Sequence, residues 1–253
     1  MTRAKGIDVS HWQDTFKPEG LDFVIIKATE GYNWVDPKLD EHWTKAQTVP
    51  IRGAYHYFLT EHDPLLQAEH FAFTISFEGY HFLAVDYEAY NNVMDAAGEQ
   101  SLRKFWLELE RLTNLPIILY TTAYILRDNL CKYNPFWADV PFWVAEWNDG
   151  DDPTALGYDW VIWQWNGTGI DKNVYNGTIE EMKAWVKVEE EEVKKVYTSK
   201  TIIFSVLFAL VNIAAIFGYA EFVPGDDIAQ YVNIGVAVIV AILRFLTKEP
   251  VSI

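Results

Sequence analysis

The chain has 253 residues, half of them hydrophobic, with 11 Trp, 14 Tyr and 15 Phe and a formal net charge of −16. That length allows one large domain plus an appendage, and the charge argues against a nucleic-acid partner, whose recognition needs basic patches. The single cysteine, Cys131, excludes an intrachain disulfide, so the fold must stand on its core.

Residues 1–5 lead straight into a strand with no apolar leader, so no Sec-type export signal is expected. Residues 6–10 (GIDVS) read as the first strand, with Asp8 near its C-terminal end. Residues 23–29 (FVIIKAT) are a continuous apolar run typical of a strand buried on both faces, closed by Glu30 and Gly31. Leu39, Trp43 and Ala46 share one side of a predicted helix over 37–48, which Pro50 stops. A third strand over 52–58 (RGAYHYF) puts Tyr55 and Tyr57 on one face and His56 and Phe58 on the other. Asp63 and Pro64 then start a helix with the apolar stripe Leu65, Ala68, Phe71 and Ala72.

The fourth predicted strand, 81–88, ends in V-D-Y-E. Residues i and i+2 of a strand point to the same face, roughly 6.5–7 Å apart, so Asp86 and Glu88 are expected side by side. Two acids that close cannot ionise independently, and one pKa should rise. A protonated carboxyl beside an ionised one suits glycosidic bond cleavage. The competing reading is an exposed acidic strand end running into a loop.

A strong amphipathic helix follows over 96–113, with Leu102, Phe105, Trp106, Leu109 and Leu112 inward. Further strands are predicted at 116–121, 141–147 and 160–165, with a short eighth at 171–175. Alternating strands and helices indicate parallel β/α units. The 148–159 connection is too short and polar for a full helix, so the fold class is α/β, an irregular β/α barrel. Barrel catalytic groups sit at the C-terminal ends of strands. Asp8, Glu30, Asp86 and Glu88 occupy such ends, with Trp147 and Gln164 close to theirs.

The segments GIDVSHWQ (6–13), FVIIKATEG (23–31), GAYHYF (53–58), VDYE (85–88), IILYT (117–121), FWVAEW (142–147), WQW (163–165) and DKNVYNG (171–177) resemble, in order, the lysozymes of glycoside hydrolase family 25. The resemblance covers about residues 5–177. It implies hydrolysis of the β-1,4 bond between N-acetylmuramic acid and N-acetylglucosamine in peptidoglycan. It also implies a catalytic cluster of Asp8, Asp86, Glu88 and Asp171, with Glu88 as general acid and Asp86 stabilising the developing charge. Tyr57, Tyr120, Trp147, Gln164 and Glu30 match substrate-binding, cleft-lining positions. Asp14 and Glu146 depart from the common pattern without touching the four acids. No metal or cofactor is expected, because the histidines lack ligand spacing. His56 reads as a core group and Lys27 as the partner of a barrel carboxylate.

After Gly177 the composition changes. Residues 178–200 are charged and helix-prone, with four glutamates at 189–192, and read as a solvated linker. Residues 201–220 carry no charge, and 228–246 only Arg244; each is long enough to span a bilayer. An acidic turn with Pro224 and Gly225 separates them. Residues 201–253 therefore read as a transmembrane hairpin, which resembles the holin-like two-helix segments of bacteriophages. The expected organisation is a barrel over 1–177, a linker over 178–200 and the hairpin over 201–253. The expected partners are peptidoglycan, the bacterial inner membrane, and either further copies through the hairpin or phage virion proteins. The expected location is the host inner membrane or a virion. The competing function is a membrane-permeabilising protein carrying a glycan-binding barrel.

Overall fold

The computed structural model describes residues 2–76, 79–90, 92–130, 134–148, 150, 152–154 and 159–187. The strands are β1 (Lys5–Val9), β2 (Phe23–Glu30), β3 (Trp34–Val35), β4 (Ile51–Tyr57), β5 (Phe82–Asp86), β6 (Ile117–Thr122), β7 (Phe142–Ala145), β8 (Trp160–Asn166) and β9 (Asp171–Tyr175). They lie in the order β1-β9-β8-β7-β6-β5-β4-β2, and β1 also pairs with β2, which closes a barrel of eight strands. Short β3, which the periodicity did not reveal, hangs antiparallel on the end of β2. The pairings from β1 through β8 are parallel, whereas β9 runs antiparallel to both β8 and β1. The barrel is thus irregular, as the short late connections suggested, but its irregularity lies in the antiparallel β9, which the residue pattern did not reveal; the 148–159 connection joins the parallel pair β7 and β8.

The helices are α1 (Leu39–Lys45), α2 (Pro64–Ile75), α3 (Ala96–Leu112), the single turn α4 (Ala123–Ile125) and α5 (Ile179–Trp185). Their starts follow from local chemistry. Asp63 accepts from the backbone N–H groups of Leu65 (2.8 Å) and Leu66 (3.1 Å), with Pro64 at the first helical position. Asp95 caps α3 in the same way, satisfying donors that the helix cannot pair internally. The predicted stripes need two corrections. Leu65 is exposed at the start of α2, whose buried face also takes in Gln67 and, at its far end, Ile75. Leu112 is exposed at the end of α3, which has by then turned its last residues away from the barrel.

Strand alternation divides the apolar residues into two cores. Ile7, Val9, Val24, Ile26, Leu83, Val85, Leu119 and Val144 face outward and pack under α2 and α3 through Phe71, Leu102, Phe105 and Leu109. Phe23, Ile25, Phe82, Ala84, Ile118, Trp143 and Ile162 face the barrel axis. Two glycines make room there. A Cβ on Gly6 would lie 2.5 Å from the ring of Phe23, its register partner, and one on Gly53 would lie 2.4 Å from the ring of Phe82. Small and large residues thus alternate across the strands to fill the closed floor.

Helix α5 closes the floor from below. Thr178 and Glu181 form a capping box. Met182 and Val186 are buried in the inner core, and Trp185 lies 5.6 Å from Phe82, ring centre to ring centre. The start of the predicted solvated linker is therefore part of the barrel body. The charge pattern hid this because Met182, Trp185 and Val186 form a narrow stripe among acidic and basic neighbours. Among the described residues no helix is long and apolar enough to cross a membrane. Both predicted spans, and Cys131, lie outside the described residues.

Candidate active site

Parallel strands deliver their C-terminal ends to one mouth of the barrel. Alternation decides which side chains point into it: Asp8 from β1, Lys27 from β2, Tyr55 and Tyr57 from β4, Asp86 from β5, Tyr120 from β6, Gln164 from β8, and Asp171 and Asn173 from β9. Asp8 and Asp171 are register partners across the β1–β9 pair. Asp86 lies one strand from Tyr57 and one from Tyr120, its partners in register.

The fourth strand ends at Asp86, two residues earlier than the pattern predicts, so Glu88 is a loop residue and only partly buried. The loop is nonetheless well tied. Asn92 Nδ2 donates to the backbone oxygens of Glu88 (3.0 Å) and Phe58 (2.9 Å), and Asn92 Oδ1 accepts from Thr60 N at 2.7 Å. Tyr57 donates through its hydroxyl to the Tyr90 carbonyl at 2.6 Å, and Tyr87 to that of Val93 at 3.1 Å. These bonds hold Glu88 at the mouth without a sheet ladder.

All four acids have raised pKa values, and burial is the largest cause for each. Asp86 is lifted well above the carboxylate range by desolvation and then by Glu88, with Lys27 opposing. Its Oδ1 is buried and meets no hydrogen-bond donor among the described residues, which is the costly arrangement expected of a group kept for chemistry. Glu88 is raised by desolvation, while the Tyr120 hydroxyl and Lys27 hold it down. Asp8 is raised to about 7 by desolvation and by the charge of Asp171, to which it is also hydrogen-bonded. Amide donors from Asn173 (2.6 Å) and Gln164 (3.0 Å) to its Oδ2 pull the other way.

The cleft-lining expectations separate into distinct groups. Trp147 is 68 % exposed and lies across Gly167, where a Cβ would meet its ring at 2.3 Å. With Tyr90, Tyr124, Tyr120, Thr122 and Glu88 it borders a groove of about 410 Å³. Tyr120 lines the inner side of this groove and Tyr57, its neighbour across Asp86, does not; both are almost fully buried. Gln164 is 3 % exposed, and its amide is taken up by Tyr120 Oη and Asp8 Oδ2, so it serves the carboxylate from beneath. Glu30 pairs with Lys27 at 2.7 Å, and the same ammonium lies 5.0 Å from the ring centres of Trp34 and Tyr57. Lys27 is thus the barrel partner that its sequence position suggested. His56 points outward, stacked on Phe105 at 4.9 Å; burial lowers its pKa to about 3, so it is a neutral core group.

Glu146 accepts from Thr154 Oγ1 (2.7 Å) and Asn148 Nδ2 (3.1 Å), which staples its loop beside the groove. Asp14 lies exposed at a bend beyond the Ser10–Gln13 turn. Five site residues were not anticipated as such. Tyr55, Trp143 and Asn173 are strand residues on the same face as the acids, Asn173 at i+2 from Asp171; Tyr90 and Tyr124 flank the groove from loops. The i+2 rule could have found Asn173. A cavity of about 590 Å³ between Trp106, Ile117 and Phe136 lies at the opposite end of the barrel, away from the acids.

The profile of the Glycosyl hydrolases family 25 matches residues 7–174. The chain belongs to that family. This family 25 hydrolase is a glycoside hydrolase of the lysozyme, or muramidase, kind. It is 33 % identical over 201 residues to the uncharacterized protein YegX of Escherichia coli K12, covering 72 % of each chain. It is 29 % identical to lysozyme M1 of Streptomyces globisporus over 211 residues, covering 71 % of this chain and 70 % of that one. Among solved structures, the bacterial lysozyme of Streptomyces coelicolor superposes with a TM-score of 0.63 at 26 % identity, over 73 % of this chain and 97 % of that one.

The raised acids make a stability prediction for the family 25 hydrolase. A carboxyl whose folded pKa lies above its unfolded value of about 3.9 stabilises the fold below that value and loses the contribution as pH rises through the folded pKa. For Asp8 the window runs from there to about 7. Asp8→Asn keeps a donor for Asp171 and an oxygen for Asn173 and Gln164, so it imitates the protonated acid. The variant should melt higher than the wild type at pH 8, by roughly 2–4 °C per kcal/mol relieved, with the difference shrinking toward pH 4. Thermal melts at both values check this; equal midpoints at pH 8 would place the raised pKa elsewhere.

Proposed function

We propose that this family 25 hydrolase cleaves the β-1,4 bond between N-acetylmuramic acid and N-acetylglucosamine in bacterial peptidoglycan, with Glu88 as general acid and Asp86 as the charge stabiliser. The observation that carries this reading is the Asp86–Glu88 couple: two mutually repelling, partly desolvated carboxyls at the barrel mouth, beside a groove walled by Trp147, Tyr90 and Tyr124. Repulsion and burial keep a proton on one carboxyl near neutral pH. That proton is what the leaving glycosidic oxygen needs. Of the two, Asp86 is held further above its ordinary value in the free protein, so this reading requires the proton to pass to Glu88 as the sugar binds, with Lys27 favouring the ionised Asp86 that then stabilises positive charge on the sugar. The flat aromatic faces suit pyranose rings. Asp8 and Asp171 complete the acid floor. Glu30 contributes by holding Lys27.

Purified cell walls test the assignment directly. Their turbidity should fall, and borohydride reduction of the products should convert N-acetylmuramic acid, showing new reducing ends on that sugar. Reduction of N-acetylglucosamine instead would overturn the bond assignment. The rate should decline as pH rises through the raised pKa of Glu88, because only the protonated form donates. The alkaline limb should therefore lie above the ordinary glutamate range. A limb at the ordinary value would remove Glu88 from the acid role.

We further propose that residues 201–253 tether the barrel to the bacterial inner membrane as a two-helix hairpin, in a phage protein that acts in lysis or wall penetration. Two apolar stretches of spanning length around an acidic turn support this. Lys194, Lys195, Lys200, Arg244 and Lys248 flank the spans, and the turn carries Glu221, Asp226 and Asp227, so both ends should be cytoplasmic if the host membrane inserts the chain. The barrel would then reach the wall through a lesion built by several hairpins. In delivery from a virion, insertion from outside would set the orientation instead. An impermeant maleimide should label a cysteine placed at Gly225 in intact spheroplasts, with Cys131 replaced. Labelling only in inverted vesicles would overturn that topology.

A further inference from the structure

The acid floor contains a hydrogen-bond network whose polarity is dictated from outside the acids. Asp8 Oδ2 accepts from Asn173 Nδ2 at 2.6 Å and from Gln164 Nε2 at 3.0 Å. A side-chain amide can present either its oxygen or its NH2, so a third group has to decide which faces the carboxylate. For Asn173 that group is the Trp143 indole, which donates to Asn173 Oδ1 at 2.8 Å. An indole N–H donates and cannot accept. The amide oxygen is therefore committed to Trp143 and the NH2 to Asp8. Gln164 Oε1 lies 3.1 Å from the Tyr120 hydroxyl, which can donate or accept and is shared with Glu88, so of the two amides only Asn173 has its sense dictated by a pure donor.

Trp143, Asn173, Gln164 and Asp8 are all less than 8 % exposed. The indole is held in turn by Tyr120 at 4.4 Å and edge-on by Tyr55 at 6.3 Å. We propose that Asn173, aimed by the Trp143 indole, is a positioning residue for the acid cluster: with Gln164 it commits Asp8 Oδ2 to accepting, and so confines a proton on Asp8 to the oxygen left for Asp171. This rests on the reading that the four acids are the reactive centre.

The physical reason is occupancy. Two N–H donors use both lone pairs of Oδ2, and a proton placed there would oppose them. The remaining oxygen of Asp8 is the one left to carry a proton, and Asp171, its register partner across β1 and β9, is the carboxyl that raises its pKa. Without a fixed amide, the proton could sit on either oxygen, and Asp171 would lose its donor part of the time. The other ionisable groups around Asp8 are Asp171 on β9, Asp86 on β5, Tyr55 on β4 and Tyr120 on β6, while Lys27 on β2 acts on Asp86. None of them can decide between the two oxygens of Asp8 as the indole-aimed amide does.

The test is a pH titration of the full chain carrying 13C at its aspartate carboxyls, with Asp8 and Asp171 resonances identified from Asp8→Asn and Asp171→Asn. An amide donor favours the ionised carboxylate, so removing it moves the midpoint up. Asn173→Ala should raise the Asp8 midpoint by roughly one pH unit. Trp143→Phe, which keeps a ring but frees the amide, should shift it in the same direction by less. Unmoved midpoints in both variants would overturn the proposal and leave Asn173 a packing residue. If Trp143→Phe fails to fold, Gln164→Ala takes its place, with the same upward shift expected and an unmoved midpoint counting against the proposal. The titration needs no turnover, so a chain that clears no wall would sink the functional reading without deciding this one.

Discussion

Glu88→Gln should abolish wall hydrolysis and leave the barrel folded. The amide matches the carboxyl in size but has no proton to give the leaving oxygen. Loss of general acid catalysis costs on the order of 10²–10⁴ in rate. The fold should survive because Glu88 lies beyond the end of β5, and its loop is held by its backbone oxygen, through Asn92, and by Tyr57 and Tyr87. Circular dichroism and a thermal melt check the fold, and turbidity clearing checks the rate. Wild-type clearing by the folded variant would remove Glu88 from the mechanism. A fall in rate with melting lowered by many degrees would mean that the side chain is structural, contrary to its partial exposure.

The second large effect is expected at Asp86. Asp86→Asn should reduce the turnover rate by on the order of 10²–10³, the scale seen when one fixed electrostatic partner of a transition state is removed. Asp86 is buried, its Oδ1 has no donor among the described residues, and Lys27 is the cation that favours its charge. Little water is available to replace the lost charge. The alkaline limb of what activity remains should stay above the ordinary glutamate range, because the largest cause of the raised Glu88 pKa is its own burial. Measuring turnover across pH checks both. Retained turnover would transfer the stabilising role to Asp8 or Asp171, the other two acids at the same mouth.

Much of this molecule is legible in one dimension, for identifiable reasons. The runs 23–29 and 117–121 are apolar because strands inside an α/β barrel are covered on both faces. Asp63-Pro64 and Asp95 announce their helices through capping chemistry that acts within three residues. Period-2 alternation correctly placed His56 apart from Tyr55 and Tyr57. It went wrong by two residues at Glu88, where a loop held by Asn92 and Tyr57 does the work that a continued strand was expected to do. The same limit applied to residues 179–186, whose narrow stripe becomes a core contact only because Phe82 and Tyr175 are waiting at the barrel floor.

By itself the sequence determined which residue types reach the ends of which strands, and so which acids could meet. Tertiary structure decided what those acids are. Asp8 and Asp171 stand 163 positions apart in number and become partners only when β9 inserts antiparallel between β8 and β1. Gln164 looked like a cleft residue and became the support of a carboxylate, because Tyr120 and Asp8 converge on its amide from other strands. The reason is that a pKa, or the direction of an amide, depends on burial and on donors a few ångströms away in space. Neither is a property of spacing along the chain.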